Sequence, residues 1–162
     1  MRVGIGLGSN VGDCAAELAK AREWLRGLDA GMRVSSEYET EAVGCVCGTP
    51  VFRNQAVEIC WRGSLESLLG GLQDYERSRG RQTVRKVNEP RTVDLDLLYA
   101  DECRVKTARL ELPHPRMAER RFVMEPLAEI CPGRRISGLP GTVLETAVWL
   151  RKKGGSACRR IA

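Results

Sequence analysis

Residues 3–28 read VGIGLGSNVGDCAAELAKAREWLRGL, and this stretch predicts how the fold begins. Val3 to Leu7 is a short apolar run closed by Gly8-Ser9-Asn10, which is typical of a β-strand that ends in a tight turn. Asp13 is a candidate helix cap. Beyond it, apolar residues recur at the spacing of one helix face: Ala15, Leu18, Ala21, Leu25 and Leu28. The stretch is therefore predicted to be strand, turn and helix.

The following residues extend this unit into an alternation of strands and helices. Met32 to Glu39 and Phe52 to Cys60 predict two more strands, since apolar and β-branched residues are bounded there by turn signals. Ser64 precedes a leucine-rich helical stripe that runs to Arg79, and Thr92 to Tyr99 predicts a fourth strand. The order β-α-β-β-α-β is typical of a ferredoxin-like α+β sandwich, with helices on one face of an antiparallel sheet.

Shorter elements are expected in the last third of the chain. Leu110-Glu111-Leu112 is a candidate edge strand, and Arg116 to Ile130 is expected to be partly helical in spite of Pro126. Thr142-Val143-Leu144-Glu145 has the spacing of a capping box, in which the first and fourth side chains satisfy each other's backbone N–H groups. This motif predicts the start of a last helix.

Composition indicates one globular domain. At 162 residues and 17.9 kDa, with 43% hydrophobic and 29% charged residues, the chain can bury a sizeable core. No run approaches the roughly 18 apolar residues of a membrane helix, and the start lacks the apolar run of a secretory signal, so we expect a cytoplasmic protein. The seven cysteines are scattered without a CxxC pair, which argues against a disulfide framework or a structural zinc site.

The positive charge is concentrated at the C-terminus. The chain carries 26 basic and 21 acidic residues, a net charge of +5. The last twelve residues hold five of the basic side chains and no acid, so the remaining chain has 21 of each sign. We therefore expect one neutral domain over residues 1–150 and a flexible basic tail over 151–162, rather than a surface built for nucleic acid.

The run Pro90-Arg91-Thr92-Val93-Asp94-Leu95-Asp96 holds the sharpest local signal. Because side chains alternate along a strand, Asp94 and Asp96 project from the same face with their Cα atoms about 7 Å apart, and the intervening apolar residues face the core. Paired carboxylates suit Mg²⁺, which binds one or two carboxylates together with substrate phosphates. The alternative is an exposed edge strand with two solvated acids.

A basic loop precedes this carboxylate pair. Residues 77–91 contain six basic residues and a single acidic residue, Glu89. These are Arg77, Arg79, Arg81, Arg85, Lys86 and Arg91. Such a loop either binds anions or stays solvated, but Mg²⁺ and arginines together are the combination that holds a polyphosphate and spreads its developing charge. A second loop, over residues 40–51, is also long enough to suggest a function.

Four further residues are candidates on their chemistry. Phe52 and Asn54 share one face of their strand, so an aromatic plane and an amide could meet a flat heterocycle, although phenylalanine is also a common core residue. Phe122, the only other phenylalanine, has the same two interpretations. His114, the only histidine, is a candidate proton carrier or phosphate ligand.

Two other classes of protein fit parts of this pattern. RNA-recognition domains also use a ferredoxin-like sheet with exposed aromatic residues and positive charge, but this chain is only 5% aromatic and lacks their motif around Phe52. A glycosyltransferase that binds a nucleotide sugar through a DxD motif and Mg²⁺ shares the metal chemistry, but it normally needs a larger nucleotide-binding domain than 162 residues allow.

Five motifs in their order resemble one known family. They are GLGSN at 6–10, SSEYET at 35–40, FRNQAVEI at 52–59, GRQTVRKVNEPRTVDLDLLY at 80–99 and LPHPRMAERRFVMEPLAEICP at 112–132. Together they are similar to the 6-hydroxymethyl-7,8-dihydropterin pyrophosphokinases of the folate pathway. The resemblance implies a ferredoxin-like three-layer α/β/α sandwich and transfer of the pyrophosphoryl group of ATP to the pterin hydroxymethyl group, with release of AMP. It also implies two Mg²⁺ ions, small-molecule partners without nucleic acid or membrane, and a monomer or weak homodimer.

The same resemblance implies three groups of site residues. The catalytic group would be Arg81, Arg91, Asp94 and Asp96, with both metal ions held by the two aspartates. Phe52 and Phe122 would sandwich the pterin ring, and Asn54 with the backbone around Thr40 and Val43 would read its polar edge. The residues around ATP would be Gln73, Glu76, Arg109, Leu110, His114 and Arg120, together with Arg81 and Arg91.

The chain departs from the family pattern in four places. Where Arg-Trp-Gly commonly precedes Pro-Arg, it has Val87-Asn88-Glu89, so the loop lacks the tryptophan that usually helps to close the pterin site. Arg85 and Lys86 are displaced by one position from the usual lysine. Pro115 replaces an aromatic residue beside the histidine, and Glu41 stands where a proline is common.

Overall fold

A computed structural model describes residues 1–40, 51–80, 92–154 and 157–161. The elements in chain order are β1 (Arg2–Ser9), α1 (Cys14–Leu28), β2 (Arg33–Val34), β3 (Tyr38–Thr40), β4 (Phe52–Cys60), α2 (Leu65–Ser78), β5 (Asp94–Ala100), β6 (Val105–Lys106), β7 (Glu111–Leu112), a 3₁₀ turn (Met117–Glu119), α3 (Arg121–Ile130), α4 (Val143–Lys153) and β8 (Cys158–Arg160). Within these residues the main sheet has the strand order β5-β1-β4-β3-β8, with β2 also paired to β4. Every pairing in it is antiparallel.

Strand β1 separates two hydrophobic cores. Val3, Ile5 and Leu7 are buried against the layer of α1 and α2, whose main contributors are Leu18, Leu25, Leu68 and Leu72. The opposite face of the sheet is covered by α3 and α4, where Val123, Leu127 and Ala147 of the helices share a core with Leu98 and Tyr99 of β5. The three-layer α/β/α sandwich is thus confirmed. The expectation of helices on one face alone is wrong, because the late apolar residues of α3 and α4 build a second layer.

The predicted helix starts are confirmed by their caps. Asp13 accepts a hydrogen bond from the Ala16 N–H at 3.0 Å, and Ser64 accepts one from the Ser67 N–H at 3.1 Å. Thr142 opens α4 with both bonds of a capping box in place. These caps satisfy N–H groups that have no partner within the helix, which is why the helices begin where the polar residues stand.

Three strand predictions differ from the structure. Gly8 and Ser9 belong to β1 rather than to a turn, because β1 pairs with β4 and β5 up to its end. The single strand expected over 32–39 is divided into β2 and β3, since Ser35 uses its hydroxyl to accept from the Ala56 N–H at 2.9 Å. The strand expected around Glu111 is β7, which pairs with β6 in a separate two-stranded sheet.

The C-terminal segment also differs from the expected flexible tail over 151–162. Helix α4 continues to Lys153 and ends at Gly154, whose φ of +80° and ψ of −177° are accessible to glycine almost alone. The chain then returns to the sheet as β8, which pairs with β3. Two of the basic residues form ion pairs there, Arg159 with Glu39 and Arg160 with Glu129.

Candidate active site

The two aspartates and the amide stand on one face of three adjacent strands. Asp94 of β5 is opposite Gly8 of β1, and Gly8 is opposite Asn54 of β4. Directly opposed residues of antiparallel strands point to the same face, so this row joins a carboxylate, a glycine and an amide. With strands about 4.8 Å apart, the Cα atoms of Asp94 and Asn54 are separated by about 10 Å. In the next row, Asp96 is opposite Gly6.

Gly6 and Gly8 bear no side chain between the carboxylates and the amide, and we call this part of the face the glycine trough. A Cβ atom on Gly8 would lie 3.4 Å from Asn54 Oδ1, and one on Gly6 would lie 3.5 Å from the Leu98 side chain. Asn54 Oδ1 is therefore directed over Gly8. Asp94 and Asp96 are half-buried, so this end of the face remains open to solvent.

Strand β5 holds the carboxylates in place through its backbone. The buried Glu76 of α2 accepts a hydrogen bond from the Leu95 N–H at 2.7 Å, between the two aspartates. Leu95 is itself buried in the core, as the predicted alternation requires. A carboxylate on a strand that is anchored from the opposite layer has little freedom to move away from its neighbour.

The carboxylate pair fits a divalent cation by its chemistry. Hard carboxylate oxygens suit Mg²⁺, which usually completes its shell with water and substrate phosphates instead of a full set of protein ligands. No cluster of three or more His, Cys, Asp or Glu side chains able to hold a metal occurs in the part of the chain that the structure describes. By their chemistry, Asp94 and Asp96 suit an ion that completes its coordination with water and a phosphate ligand.

The candidate pterin residues that the structure describes lie on β3, β4 and α3. Asn54 donates from Nδ2 to Thr40 Oγ1 at 2.8 Å, a buried bond that fixes the orientation of the amide. Phe52 is two residues before Asn54 on the same face and half-buried. Phe122, near the start of α3, is half-buried beneath Arg120, whose guanidinium carbon lies 5.4 Å from the ring centroid.

His114 lies near enough to Asp96 for the charge of that carboxylate to act on it. Burial lowers the pKa of His114, the negative charge of Asp96 opposes this change, and Arg120 and Arg116 reinforce it. The neutral imidazole accepts from the Arg116 N–H through Nδ1 at 3.2 Å. The proton is consequently assigned to Nε2, which leaves an N–H donor suited to a phosphate oxygen.

The remaining nucleotide candidates divide into exposed and buried groups. Gln73 of α2 accepts from Arg109 Nη2 at 3.5 Å, so these two side chains lie together near the turn that precedes β7. Glu76 and Leu110 are 3% and 8% exposed, and they line the core more than the surface. Arg81, Arg91 and Val43 lie outside the described residues, as do Glu41, Arg85, Lys86 and Val87-Asn88-Glu89.

Comparison with known proteins shows the family to which the chain belongs. A sequence model of the 7,8-dihydro-6-hydroxymethylpterin-pyrophosphokinase (HPPK) family matches residues 4–132. The chain belongs to this family. A 2-amino-4-hydroxy-6-hydroxymethyldihydropteridine pyrophosphokinase from Bacillus subtilis is 44% identical over 130 residues, covering 78% of this chain and 76% of that protein. The corresponding enzyme from Methylorubrum extorquens is 40% identical over 140 residues, covering 85% and 87%.

Relatives and solved structures also include longer HPPK proteins. The mitochondrial folate synthesis bifunctional protein of Pisum sativum is 36% identical over 127 residues, which cover 78% of this chain and 24% of that protein. The wild-type Plasmodium falciparum HPPK-DHPS structure with pteroate superimposes with a TM-score of 0.69 at 11% identity, covering 94% of this chain. This chain spans 42% of that structure, less than half of its length. At 11% sequence identity, this structural similarity supports the fold alone.

Membership of the HPPK family confirms the resemblance stated from the sequence. It replaces the two alternative classes, an RNA-binding module and a glycosyltransferase. Among the helices that the structure describes, none combines the length and apolar character needed to cross a membrane.

Sequence reasoning missed the glycine trough of this HPPK. The sequence predicts that Gly6 lies at the end of a strand and Gly8 in the turn after it. In the structure, Gly6 and Gly8 lie directly opposite Asp96 and Asp94 of the neighbouring strand β5. The usable signal is their two-residue spacing, which matches that of the aspartates and places both glycines on one face. The local sequence does not indicate the strand register that places the two glycines opposite the two aspartates.

Proposed function

We propose that the chain transfers the pyrophosphoryl group of ATP to the hydroxymethyl group of 6-hydroxymethyl-7,8-dihydropterin and releases AMP. The observation that carries this proposal is the row Asp94–Gly8–Asn54. On one open face, this row combines a carboxylate suited to a metal-bound phosphate with an amide suited to hydrogen-bond a heterocycle. The Cα atoms of the two residues lie about 10 Å apart, which is two strand spacings. That span allows the reacting groups of two bound substrates to meet above the trough.

On the pterin side, the amide of Asn54 would accept a hydrogen bond from the heterocycle. Its Nδ2 is committed to Thr40, which directs Oδ1 over Gly8. The rings of Phe52 and Phe122 supply flat apolar surfaces, which we assign to the two faces of the pterin. The backbone near Thr40 and Val43 is assigned to the polar edge of the ring. An orientation of this kind would place the hydroxymethyl group toward the carboxylate side.

On the phosphate side, Asp94 and Asp96 would hold two Mg²⁺ ions. When bound, the ions would neutralise phosphate charge and polarise the transferred group. His114 Nε2–H and the Arg120 guanidinium are assigned to phosphate oxygens, since the charges of Asp96 and Arg120 both act on His114. Arg81 and Arg91 are assigned to the leaving AMP side. Gln73 and Arg109 are assigned to the nucleotide beyond the phosphates.

Glu76 and Leu110 would act on ATP indirectly. Glu76 binds the backbone between the two aspartates, so we assign it to positioning β5 rather than to direct contact with the nucleotide. Leu110 is buried where the chain enters β7, and its backbone would form that side of the nucleotide site.

The reaction follows from this arrangement as an in-line displacement. The pterin hydroxyl oxygen forms a bond to the β-phosphorus, while the bond from that phosphorus to the α–β bridging oxygen breaks and AMP leaves with the oxygen. The hydroxyl proton is released in the same step. The role of the chain is to align the substrates and stabilise the spread of negative charge.

The test is a reaction of the purified chain with ATP, Mg²⁺ and the dihydropterin, resolved by chromatography and mass spectrometry. We expect AMP whose formation depends on the pterin, together with a pterin heavier by one pyrophosphoryl group. Formation of ADP, or AMP formation that is independent of the pterin, would contradict the proposal. Omission of each component in turn is the control.

A further inference from the structure

The chain ends in a segment that the HPPK family model does not reach. That model matches residues 4–132, whereas Cys158–Ile161, which we call the C-terminal strap, lies beyond it. The strap pairs with β3 in the register Thr40–Cys158, Glu39–Arg159 and Tyr38–Arg160. The Ile161 N–H continues the ladder by donating to the Glu37 carbonyl at 2.9 Å.

The register assigns different roles to successive strap residues. Hydrogen-bonded and non-hydrogen-bonded pairs alternate in an antiparallel ladder, so the bond at Ile161 makes Glu39–Arg159 the next hydrogen-bonded pair. Thr40 and Cys158 then form a close pair with their side chains on one face. This is the Thr40 whose hydroxyl fixes the Asn54 amide.

The strap also ties β3 to α3, the helix that carries Phe122. Glu129 of α3 receives hydrogen bonds from the Ser36 N–H at 3.0 Å, the Ser36 hydroxyl at 2.8 Å and the Tyr38 hydroxyl at 3.2 Å. Arg160 completes this group, with Nη2 at 3.3 Å from Glu129 and Nε donating to Ser36 Oγ at 2.8 Å. Arg160 thus links α3, which carries Phe122, to the segment just before β3, the strand that carries Thr40.

We propose that the C-terminal strap is a positioning element for the pterin side of the active site, an inference that rests on the proposed function. Strand β3 has only three residues, and without the strap it would be the edge of the sheet, held on one side by β4. Short edge strands open locally at low free-energy cost. The strap supplies the second ladder and links β3 to α3.

The position of the strap makes its effect selective. In the sheet order β5-β1-β4-β3-β8, the strap lies four strand spacings from the aspartates of β5, about 19 Å away. Thr40 of β3 lies one strand spacing from the strap, and Asn54 of β4 lies two strand spacings from it. Loosening the strap should therefore weaken the site for the pterin and leave the site for ATP and metal intact.

The experiment compares three variants of the full chain. Arg159→Pro removes the N–H that the register assigns to the β3 ladder. Arg159→Ala keeps this N–H and removes a side chain that is 75% exposed, together with its ion pair to Glu39, which at such exposure contributes little. Arg160→Ala removes the contacts to Ser36 and Glu129. For each protein, kcat and the KM values for the pterin and for ATP are measured, together with thermal unfolding.

We expect Arg159→Pro and Arg160→Ala to raise the pterin KM at least about fivefold and to change the ATP KM less than about twofold, because misplacement by a fraction of an ångström affects only the adjacent substrate. Arg159→Ala should resemble the parent. Unchanged pterin KM in Arg160→Ala, or an equal rise of both KM values, would overturn the proposal even if Arg159→Pro fails to fold. A parent chain without pterin-dependent AMP formation would instead refute the proposed function.

Discussion

At the scale of the residue, we expect phosphate binding to depend most on the charge of Asp96. Asp96→Asn keeps the shape of the side chain and removes the charge that would attract a cation. We predict a loss of kcat/KM of at least about 100-fold, since removal of one electrostatic contact to a developing charge has an effect of this size. Thermal unfolding should change little, because Asp96 is half-buried and faces the open site.

The control for Asp96→Asn is Glu102→Gln, which neutralises an exposed acid just beyond the end of the same strand. It should retain the parent rate. Parent-like, Mg²⁺-dependent turnover by Asp96→Asn would remove Asp96 from the metal site.

The glycine trough leads to a second prediction at this scale. In Gly8→Ala the new methyl group would stand 3.4 Å from Asn54 Oδ1, in the space assigned to the substrate. We expect the pterin KM to rise about fivefold or more, because a small displacement of a bound reactant has a large effect on rate.

Gly27→Ala in α1 is the matched control for Gly8→Ala, since its Cβ atom would meet nothing within 4 Å. It should stabilise the helix by up to about 1 kcal/mol without altering catalysis. A parent-like pterin KM in Gly8→Ala would show that the trough does not receive the pterin.

At the scale of the element, the contact between β1 and β5 depends on a missing side chain. A Cβ atom on Gly4 would lie 2.2 Å from Tyr99 Cε1, and Tyr99 is fully buried beneath the second helical layer. Gly4→Ala should therefore destabilise the protein by about 1–3 kcal/mol, the usual cost of overpacking a core. Chemical denaturation measures this difference, and an unchanged midpoint and slope would contradict the packing described here.

Helices α1 and α2 are joined by an ion pair that makes stability depend on pH. A hydrogen bond from Lys20, and the hydrogen bond and charge of Arg79, hold the pKa of Glu17 below its usual 4.5 in spite of burial. A carboxyl whose pKa falls on folding stabilises the native state above its unfolded pKa, and this contribution is lost as the pH falls through the folded value.

We predict that Glu17→Gln lowers the unfolding temperature at pH 7 and that the difference from the parent shrinks toward pH 3. Thermal unfolding followed by circular dichroism over this range provides the measurement. Glu23→Gln, which neutralises an exposed acid of the same helix, should show a smaller effect at pH 7. A difference at Glu17 that does not vary with pH would rule out the ion pair as its cause.

The elements could be predicted from sequence where local rules act alone. The caps at Asp13, Ser64 and Thr142 and the strand Phe52–Cys60 are confirmed because each depends on neighbouring residues. Prediction failed where distant pairing decides the outcome. Strand β8 depends on its register with β3, and no local pattern in its three residues indicates that partner.

At the scale of the whole molecule, the site follows from the order of the strands. The sheet places β1, with its glycines, between the carboxylates of β5 and the amide of β4. Sequence alternation alone predicts Asp94 with Asp96 and Phe52 with Asn54, but not that the two pairs face one trough. We therefore propose that one open face of the sheet joins the phosphate side to the pterin side.

The measurement that tests this claim most directly is a crystal structure of the chain with Mg²⁺, a non-hydrolysable ATP analogue and the dihydropterin. We predict that the pterin lies over Gly8 with a polar edge on Asn54 Oδ1, and that metal-bound phosphates contact Asp94 and Asp96. The hydroxymethyl oxygen should lie in line with the β-phosphorus. A pterin bound away from the Asp94–Gly8–Asn54 row, or phosphates that avoid both aspartates, would contradict the account.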